Sequence, residues 1–326
     1  MNPNPKYPLH RERGFTLVEI MVGLVIGLLA TIVIMQVFSV FENQKRTTTG
    51  TADAQTNGSI ALYNITRELL MAGYPLMPVA NSPLECTTLT VDGVADTPAS
   101  LSPVFITDGP SDSIMVRYGS SGSGGAPSKI TAMTAPGPMD VSLDSNLGCT
   151  QNDRTLIING TSCFMATASE VAAPARVQLT DITGAAANLD LACLGSWNQI
   201  SFASDGNNLN RDGTPTIAGI VNIQAQYGVS GSAVSNQVTQ WVDATGGWAA
   251  PSVTDRNRIK AVRIAVVARN AKREAEVVTS ASNALPVWTG GPTINLGADS
   301  DHYRYRVFET IVPLRNMIWA QGTLTP

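Results

Sequence analysis

Glu19 is a carboxylate at the head of an uncharged run, for the 22 residues from Ile20 to Phe41 carry no charge. A carboxylate against apolar surroundings calls for an opposite charge or for donors. An ionisable residue in a segment of this kind reads by default as functional. Gly14 and Phe15 stand just before it, behind Lys6, Arg11 and Arg13 and a single acid, Glu12. Four cysteines, Cys86, Cys149, Cys163 and Cys193, all follow the run. An even number in an oxidising compartment points to two disulfides, with three connectivities open. Cys149–Cys163 would close a hairpin-sized loop, with Cys86–Cys193 as the longer tie, and this is the pairing expected. The absence of a C-x-x-C spacing speaks against a zinc knuckle or a thioredoxin-type redox pair.

Two further clusters offer weaker chemistry. In Asp205-Gly-Asn-Asn-Leu-Asn-Arg-Asp-Gly213, the residues Asp205, Asn207 and Asp212 could supply oxygen ligands to a cation. The spacing departs from a calcium loop and no bidentate Glu follows at the needed offset, so a plain turn before a strand is the better reading. Arg256, Arg258, Lys260, Arg263, Arg269, Lys272 and Arg273 concentrate positive charge. No aromatic residues interleave with them for base stacking, so a solvated strand face, or a surface for acidic neighbours, is preferred over a nucleic-acid site. The net charge of −4 also disfavours general nucleic-acid binding. The two histidines, His10 and His302, are far apart, and no G-x-S-x-G or H-E-x-x-H accompanies them. The sequence therefore argues against an enzyme, and no cofactor is expected.

The elements that must position these residues follow from the hydropathy pattern. Twenty-two helical residues rise about 33 Å, enough to cross a hydrocarbon core of about 30 Å. Basic residues before a first span hold that end in the cytoplasm, which places the rest of the chain outside. The apolar core is longer than that of a secretory signal peptide and lacks a small-x-small cleavage site at its far end. Gly23 and Gly27 form a G-x-x-x-G pair that can let helices approach closely. No proline interrupts residues 15–73. Ile60, Leu62, Ile65, Leu69 and Leu70 recur at helical spacing until Gly73-Tyr-Pro stops the pattern. Residues 15–72 are thus expected as one helix of about 87 Å, apolar all round and then one-sided, weakest at Thr47–Thr51. Short alternating runs follow. Strands are expected at 113–118, 155–158, 163–168, 176–182, 199–203, 217–229, 238–242, 259–269 and 303–312. Residues 119–138, rich in Gly, Ser and Pro, and residues 290–301 read as loops.

Gly14-Phe-Thr-Leu-Val-Glu19 behind a basic leader resembles the processing motif of type IV prepilins and of the pseudopilins of type II secretion. Arg67-Glu-Leu-Leu-Met-Ala-Gly-Tyr74, Ile220-Val-Asn-Ile-Gln-Ala-Gln-Tyr-Gly-Val229, Ile259–Arg269 and Tyr303–Asn316, with its Pro-Leu-Arg-Asn ending, resemble blocks of the PilW family of minor pilins in the same order. The resemblance implies an α+β, type IV pilin-like fold. Its parts would be a leader at 1–14, the membrane half of the long helix at 15–41, its periplasmic half at 42–73, and a β-rich, disulfide-tied domain at 74–326.

It also implies cleavage between Gly14 and Phe15 by a prepilin peptidase, and methylation of the new amine on Phe15. Glu19 would neutralise that amine on a neighbouring subunit during assembly. The expected function is structural: priming pilus assembly and forming part of the tip complex, in the service of adhesion and twitching motility. Expected partners are other minor pilins, the major pilin, a large tip adhesin and the inner-membrane assembly platform. The protein would sit in the inner membrane before assembly and at the pilus tip afterwards. A J-like pseudopilin of type II secretion is the first alternative and a DNA-uptake pilin the second.

Overall fold

A computed structural model describes residues 14–76, 83–134, 139–180, 182, 186–274, 276–279, 284–295 and 300–320. The leader up to Arg13 lies outside the described residues. So do 135–138 and 296–299 within the two expected loops, and Asp181 within an expected strand.

The chain divides into two compact units, residues 1–50 and 51–326. Helix α1, Leu17–Met71, belongs to both, and the division falls at Gly50 in the stretch that the sequence marks as weakest. In the first unit every residue from Gly14 to Phe41 is exposed, on all faces of the helix. That length and composition suffice to cross a membrane. In the second unit the helix is one-sided: Ala54, Gly58, Ala61, Ile65 and Leu69 are buried, in steps of three and four that hold one face. Gly73, at φ +77°, follows the last turn in a conformation that costs an L side chain energy.

The strands, in chain order, begin with β1 (Thr88–Val91), β2 (Val94–Ala95), β3 (Val104–Thr107), β4 (Ser113–Tyr118), β5 (Pro127–Met133), β6 (Met139–Leu143) and β7 (Arg154–Asn159). Next come β8 (Ser162–Ala172), β9 (Arg176–Leu179), β10 (Asp190–Cys193), β11 (Asn198–Ser204), β12 (Asn208–Arg211) and β13 (Thr214–Ala218). The last are β14 (Ile220–Ser230), β15 (Val238–Val242), β16 (Ile259–Arg269), β17 (Ala284–Pro286), β18 (Thr293–Asn295) and β19 (Tyr305–Pro313). Helix α2 (Val253–Arg258) precedes β16, and α3 (Arg315–Ala320) follows β19.

Three larger sheets result. In the first, the order β2-β1-β8-β7-β10-β5-β6-β9 returns to β8, because β8 also pairs β9. Six strands therefore close on themselves, which removes their free edges. Ile130, Val141, Ile157, Ala166, Val177, Leu179 and Leu191 belong to the buried cluster of that sheet. The second sheet runs β13-β12-β11-β4-β3 and the third β15-β14-β16-β19. One buried cluster joins the one-sided stretch of α1 to both of these sheets. It includes Ile65 and Leu69 from the helix, Ile114 and Phe202 from the second sheet, and Ile223, Tyr227 and Ile264 from the third.

Four expectations need correction. The stretch 290–301, expected as a loop, contains β18, which pairs with β17. The stretch 119–138 is not a loop throughout: β5 runs through it and pairs with both β6 and β10. Gly, Ser and Pro hid a strand whose ladder is completed by non-local partners. The single strand expected at 217–229 is two, because Gly219, at φ +80°, breaks it between β13 and β14. The cysteines pair as Cys86–Cys163 and Cys149–Cys193, not as Cys149–Cys163 with Cys86–Cys193. The cause is topological. β1 lies parallel to β8, with Thr88 opposite Ser162, which brings Cys86 beside Cys163. β10 carries Cys193 to the far side of β7.

Candidate functional site

At the amino-terminal end the backbone shows what Glu19 does before any partner arrives. Thr16 precedes the first helical residue. Its N–H and its Oγ1 both donate to Glu19 Oε2, each at 2.9 Å, and Glu19 N–H donates back to Thr16 Oγ1 at 3.3 Å. This is a reciprocal capping box, in which residue types Thr-x-x-Glu satisfy donors that the first turn leaves open. The pattern T-x-x-E ahead of an apolar run carries this cap in the sequence itself. Phe15 is 85% exposed. Around Gly23 and Gly27 an added Cβ would meet nothing within 4 Å, so both positions are open on the helix surface.

In the second unit, α1 is docked by contacts that the sequence did not single out. A Cβ on Gly58 would lie 2.2 Å from Cε2 of Phe308, on β19, so only glycine lets the ring sit there. Glu68 is 3% exposed and is surrounded by donors. Arg211 Nη2 lies 3.1 Å and Arg67 Nη2 3.3 Å from its Oε1, while the Tyr118 hydroxyl donates to its Oε2. Burial, and then the bond to Glu68, push the Tyr118 hydroxyl up to about 12. Asn316 Nδ2 donates to the carbonyls of Met71 and Ala72, satisfying acceptors at the helix end. Arg67, Tyr74, Tyr227 and the Pro-Leu-Arg-Asn segment, noted above only as pattern, thus flank or make these joints. The Tyr227 hydroxyl accepts from Ile106 N–H at 2.6 Å and so ties the third sheet to the second.

Asp112 makes a second tie between these sheets. Its carboxylate accepts from Ala225 N–H at 2.7 Å and from Gly109 N–H at 3.1 Å. Burial outweighs those bonds and raises its pKa to about 6.

The run of basic residues does not form one surface. Arg256 is buried and donates to the carbonyls of Leu84 and Cys86, each at 2.7 Å, and to Pro251. Arg258 pairs with Asp255, and its guanidinium lies over Trp248 at 5.5 Å. Lys260 is 1% exposed and donates to Ala233, and burial pushes its amine down to about 8. Arg263 bonds Glu309 at 2.6 Å and lies over Trp288 at 4.7 Å. Arg269 bonds Asn207 and lies over Tyr303 at 4.7 Å. Neither a solvated strand face nor a continuous cationic track results, because Arg256 and Lys260 are buried and Arg258, Arg263 and Arg269 are each held by their own partners.

The 205–213 segment is two turns with the short strand β12 between them. Asp205 accepts from the Asn208 side-chain amide at 3.1 Å and from the N–H groups of Asn207 and Asn208, and these bonds, the side-chain one first, hold its carboxyl below the usual range. Asp212, at φ +52°, sits in the turn between β12 and β13 and accepts from Ser201 N–H at 2.7 Å. Asp205, Asn207 and Asp212 therefore serve separate partners and are not gathered around one point. Among the described residues no group of three or more His, Cys, Asp and Glu could hold a metal ion. His302 ends a 3-10 turn, Ser300–His302, and its Nδ1 lies 3.1 Å from the carbonyls of Glu274 and Glu276.

Comparison with known proteins bears on both ends of the chain. Residues 9–35 match the family model of the prokaryotic N-terminal methylation motif. Residues 196–316 match that of the type IV pilus-assembly protein W, and this span runs from β11 through β19. No curated protein and no solved structure matches.

Proposed function

We propose that this PilW-type minor pilin primes type IV pilus assembly with other minor pilins and stays in the tip complex beneath a large adhesin. The observation that carries the reading is the coincidence, in one chain, of a prepilin methylation motif and a PilW match. A prepilin peptidase cuts after Gly14, the new amine on Phe15 is methylated, and residues 15–41 hold the chain in the inner membrane with the β-rich domain on the periplasmic side. While the subunit is alone, the Thr16 cap occupies Glu19. In a bundle of pilin helices the amine of a neighbour's Phe15 offers Glu19 a full positive charge in apolar surroundings, where a pair of opposite charges is far better than either alone. Insertion into the bundle, on the assembly platform, thus exchanges a local cap for an intersubunit pair.

The test is capture of the full-length protein from inner membranes and identification of what accompanies it. Other minor pilins and the major pilin are the expected companions. Recovery of secretion pseudopilins in their place would assign the chain to a type II system. Mass spectrometry of the same sample is expected to find a mature chain starting at methylated Phe15, and Gly14→Val to block the cut. An intact Met1 terminus in piliated cells would overturn the processing step. A DNA-uptake role draws no support from the basic run, whose side chains are spent on carbonyls, carboxylates and aromatic rings.

A further inference from the structure

A hollow of about 380 Å³ lies on the second sheet, within the range of about 300–1,000 Å³ usual for small-molecule sites. Phe105, Met115 and Ser201 stand opposite one another across β3, β4 and β11 and form its floor. They are half-buried on the face turned away from the core, because the alternate residues of these strands pack into the cluster shared with α1. Pro98 lines the hollow from the segment before β3, and Pro251 from the segment before α2. Arg256 completes the lining and is its one ionisable side chain among the described residues. It is 9% exposed. Its Nε and Nη1 donate to the carbonyls of Pro251, Leu84 and Cys86, which fixes the group in place. The pair of N–H groups on Nη2 has no partner among the described residues, and that nitrogen is not sealed from solvent. Arg117, the other buried arginine, differs. On Arg117 burial lowers the pKa and Asp96, 3.2 Å away, raises it, whereas on Arg256 burial lowers it with no carboxylate in opposition. A buried charge is ordinarily paired, and carbonyl dipoles supply no full opposite charge. The hollow thus joins an apolar floor to one unpaired cation with donors to spare. A carboxylate supplies the missing charge and accepts from those donors. A compact apolar body behind it would cover Phe105 and Met115.

We propose that this hollow binds a small organic monocarboxylate with a compact apolar body, Arg256 serving as its counter-charge. The lone cation selects against phosphate and dicarboxylates, whose second charge would find no partner in the lining. The apolar floor selects against inorganic anions, which would leave it uncovered. The site is separate from Glu19 and stands independently of the assembly reading.

The full-length protein in detergent micelles, its methionine methyl groups labelled with ¹³C, is titrated with sodium isovalerate. Isovaleramide is the uncharged match, and sodium chloride keeps the ionic strength constant. A saturable shift of the Met115 methyl with isovalerate is expected, with at least tenfold weaker binding of isovaleramide. Met21 and Met35, on the apolar half of α1, report partition into the micelle and should not follow the same curve. Arg256→Gln should weaken isovalerate at least tenfold. Because Arg256 also holds the carbonyls of Leu84 and Cys86, a melting temperature checks that this variant is folded. Ala250→Asp, at an exposed position of the lining, tests the charge without touching Arg256. It should weaken isovalerate at least threefold, while Leu147→Asp, an equal charge change at a residue 95% exposed and outside the lining, leaves it unchanged. Equal affinity for isovaleramide, or equal effects of Ala250→Asp and Leu147→Asp, would overturn the counter-charge role of Arg256. No shift of Met115 with isovalerate, or tighter binding of succinate at equal ionic strength, would overturn the ligand class.

Discussion

Gly58→Ala separates an argument from local propensity from one based on packing. In an exposed helix interior, replacing Gly by Ala stabilises by about 1 kcal/mol. Here the new methyl would stand 2.2 Å from Cε2, 2.4 Å from Cδ2 and 3.0 Å from Cζ of Phe308, where ordinary contact begins near 3.4 Å. The ring is half-buried against the cluster that joins α1 to β14 and β16, so it cannot swing freely away. Either the helix lifts from β19 or the ring leaves its rotamer. Overpacking of this kind costs about 1–3 kcal/mol. Set against the propensity gain, the net effect is a loss of up to about 2 kcal/mol. For a domain of this size each kcal/mol lowers Tm by about 2–4 °C. Thermal unfolding of the full chain in detergent, with disulfides intact, reads the sign directly. Phe308→Leu in the same chain removes the ring edge, and in that background Gly58→Ala should become neutral or stabilising. A higher Tm for Gly58→Ala in the wild-type background would refute the reasoning, since it would mean that the ring yields at no cost.

Three other outcomes are expected. Glu19→Ala removes one partner of the proposed intersubunit pair in the bundle, which leaves the other charge uncompensated there, but only the return arm of a local capping box in the lone subunit. Insertion and cleavage should survive while piliation falls, and full piliation at native expression would count against the pairing. Peptide mapping without reductant should find Cys86 with Cys163 and Cys149 with Cys193. Breaking either should cost about 2–5 kcal/mol, the longer 77-residue separation exceeding the 44-residue one by only about 0.5 kcal/mol. Asp112 has a folded pKa near 6 against about 3.9 unfolded, so the folded state holds the extra proton between these values and the contribution is lost as pH rises through 6. Its ionisation opposes folding by up to about 3 kcal/mol above that window. Asp112→Asn should remove this slope from the stability-against-pH curve between pH 4 and 6.5, and an unchanged slope would show that the group titrates normally.

The elements that depend on local pattern were the legible ones. The apolar run, the one-sided stretch behind it and the stop at Gly73 specify α1 without reference to the rest of the chain. β16, at Ile259–Arg269, announces itself by β-branched residues over its whole length, as does the terminal strand. What stayed hidden depends on which strand lies beside which. β5 has a plain sequence and owes its existence to β6 and β10. The disulfides follow a parallel neighbour, β1 beside β8, that no sequence distance reports. The basic run read as one surface because it is contiguous in the chain, whereas Trp288 and Tyr303, which lie over two of its members, arrive from far along it. Of the amino-terminal site, the identities were visible and the local bonding was available in T-x-x-E.

The order in which the chain is made gives the docking of α1 a consequence in time. The buried face of the helix, Ala54 to Leu69, emerges early, yet the cluster that covers it takes in strands from β3 through β19, and its end is capped by Asn316. At about 5–20 residues per second, tens of seconds pass between synthesis of Met71 and of Pro313. Until the last strand is made, an apolar stripe with a glycine notch waits without its full cover, and long-range closure of this kind is slow in itself. A nascent subunit therefore presents to its surroundings a face that the finished one hides. Any factor that shields helices during export, or any sister chain with a complementary stripe, meets this protein first in that state.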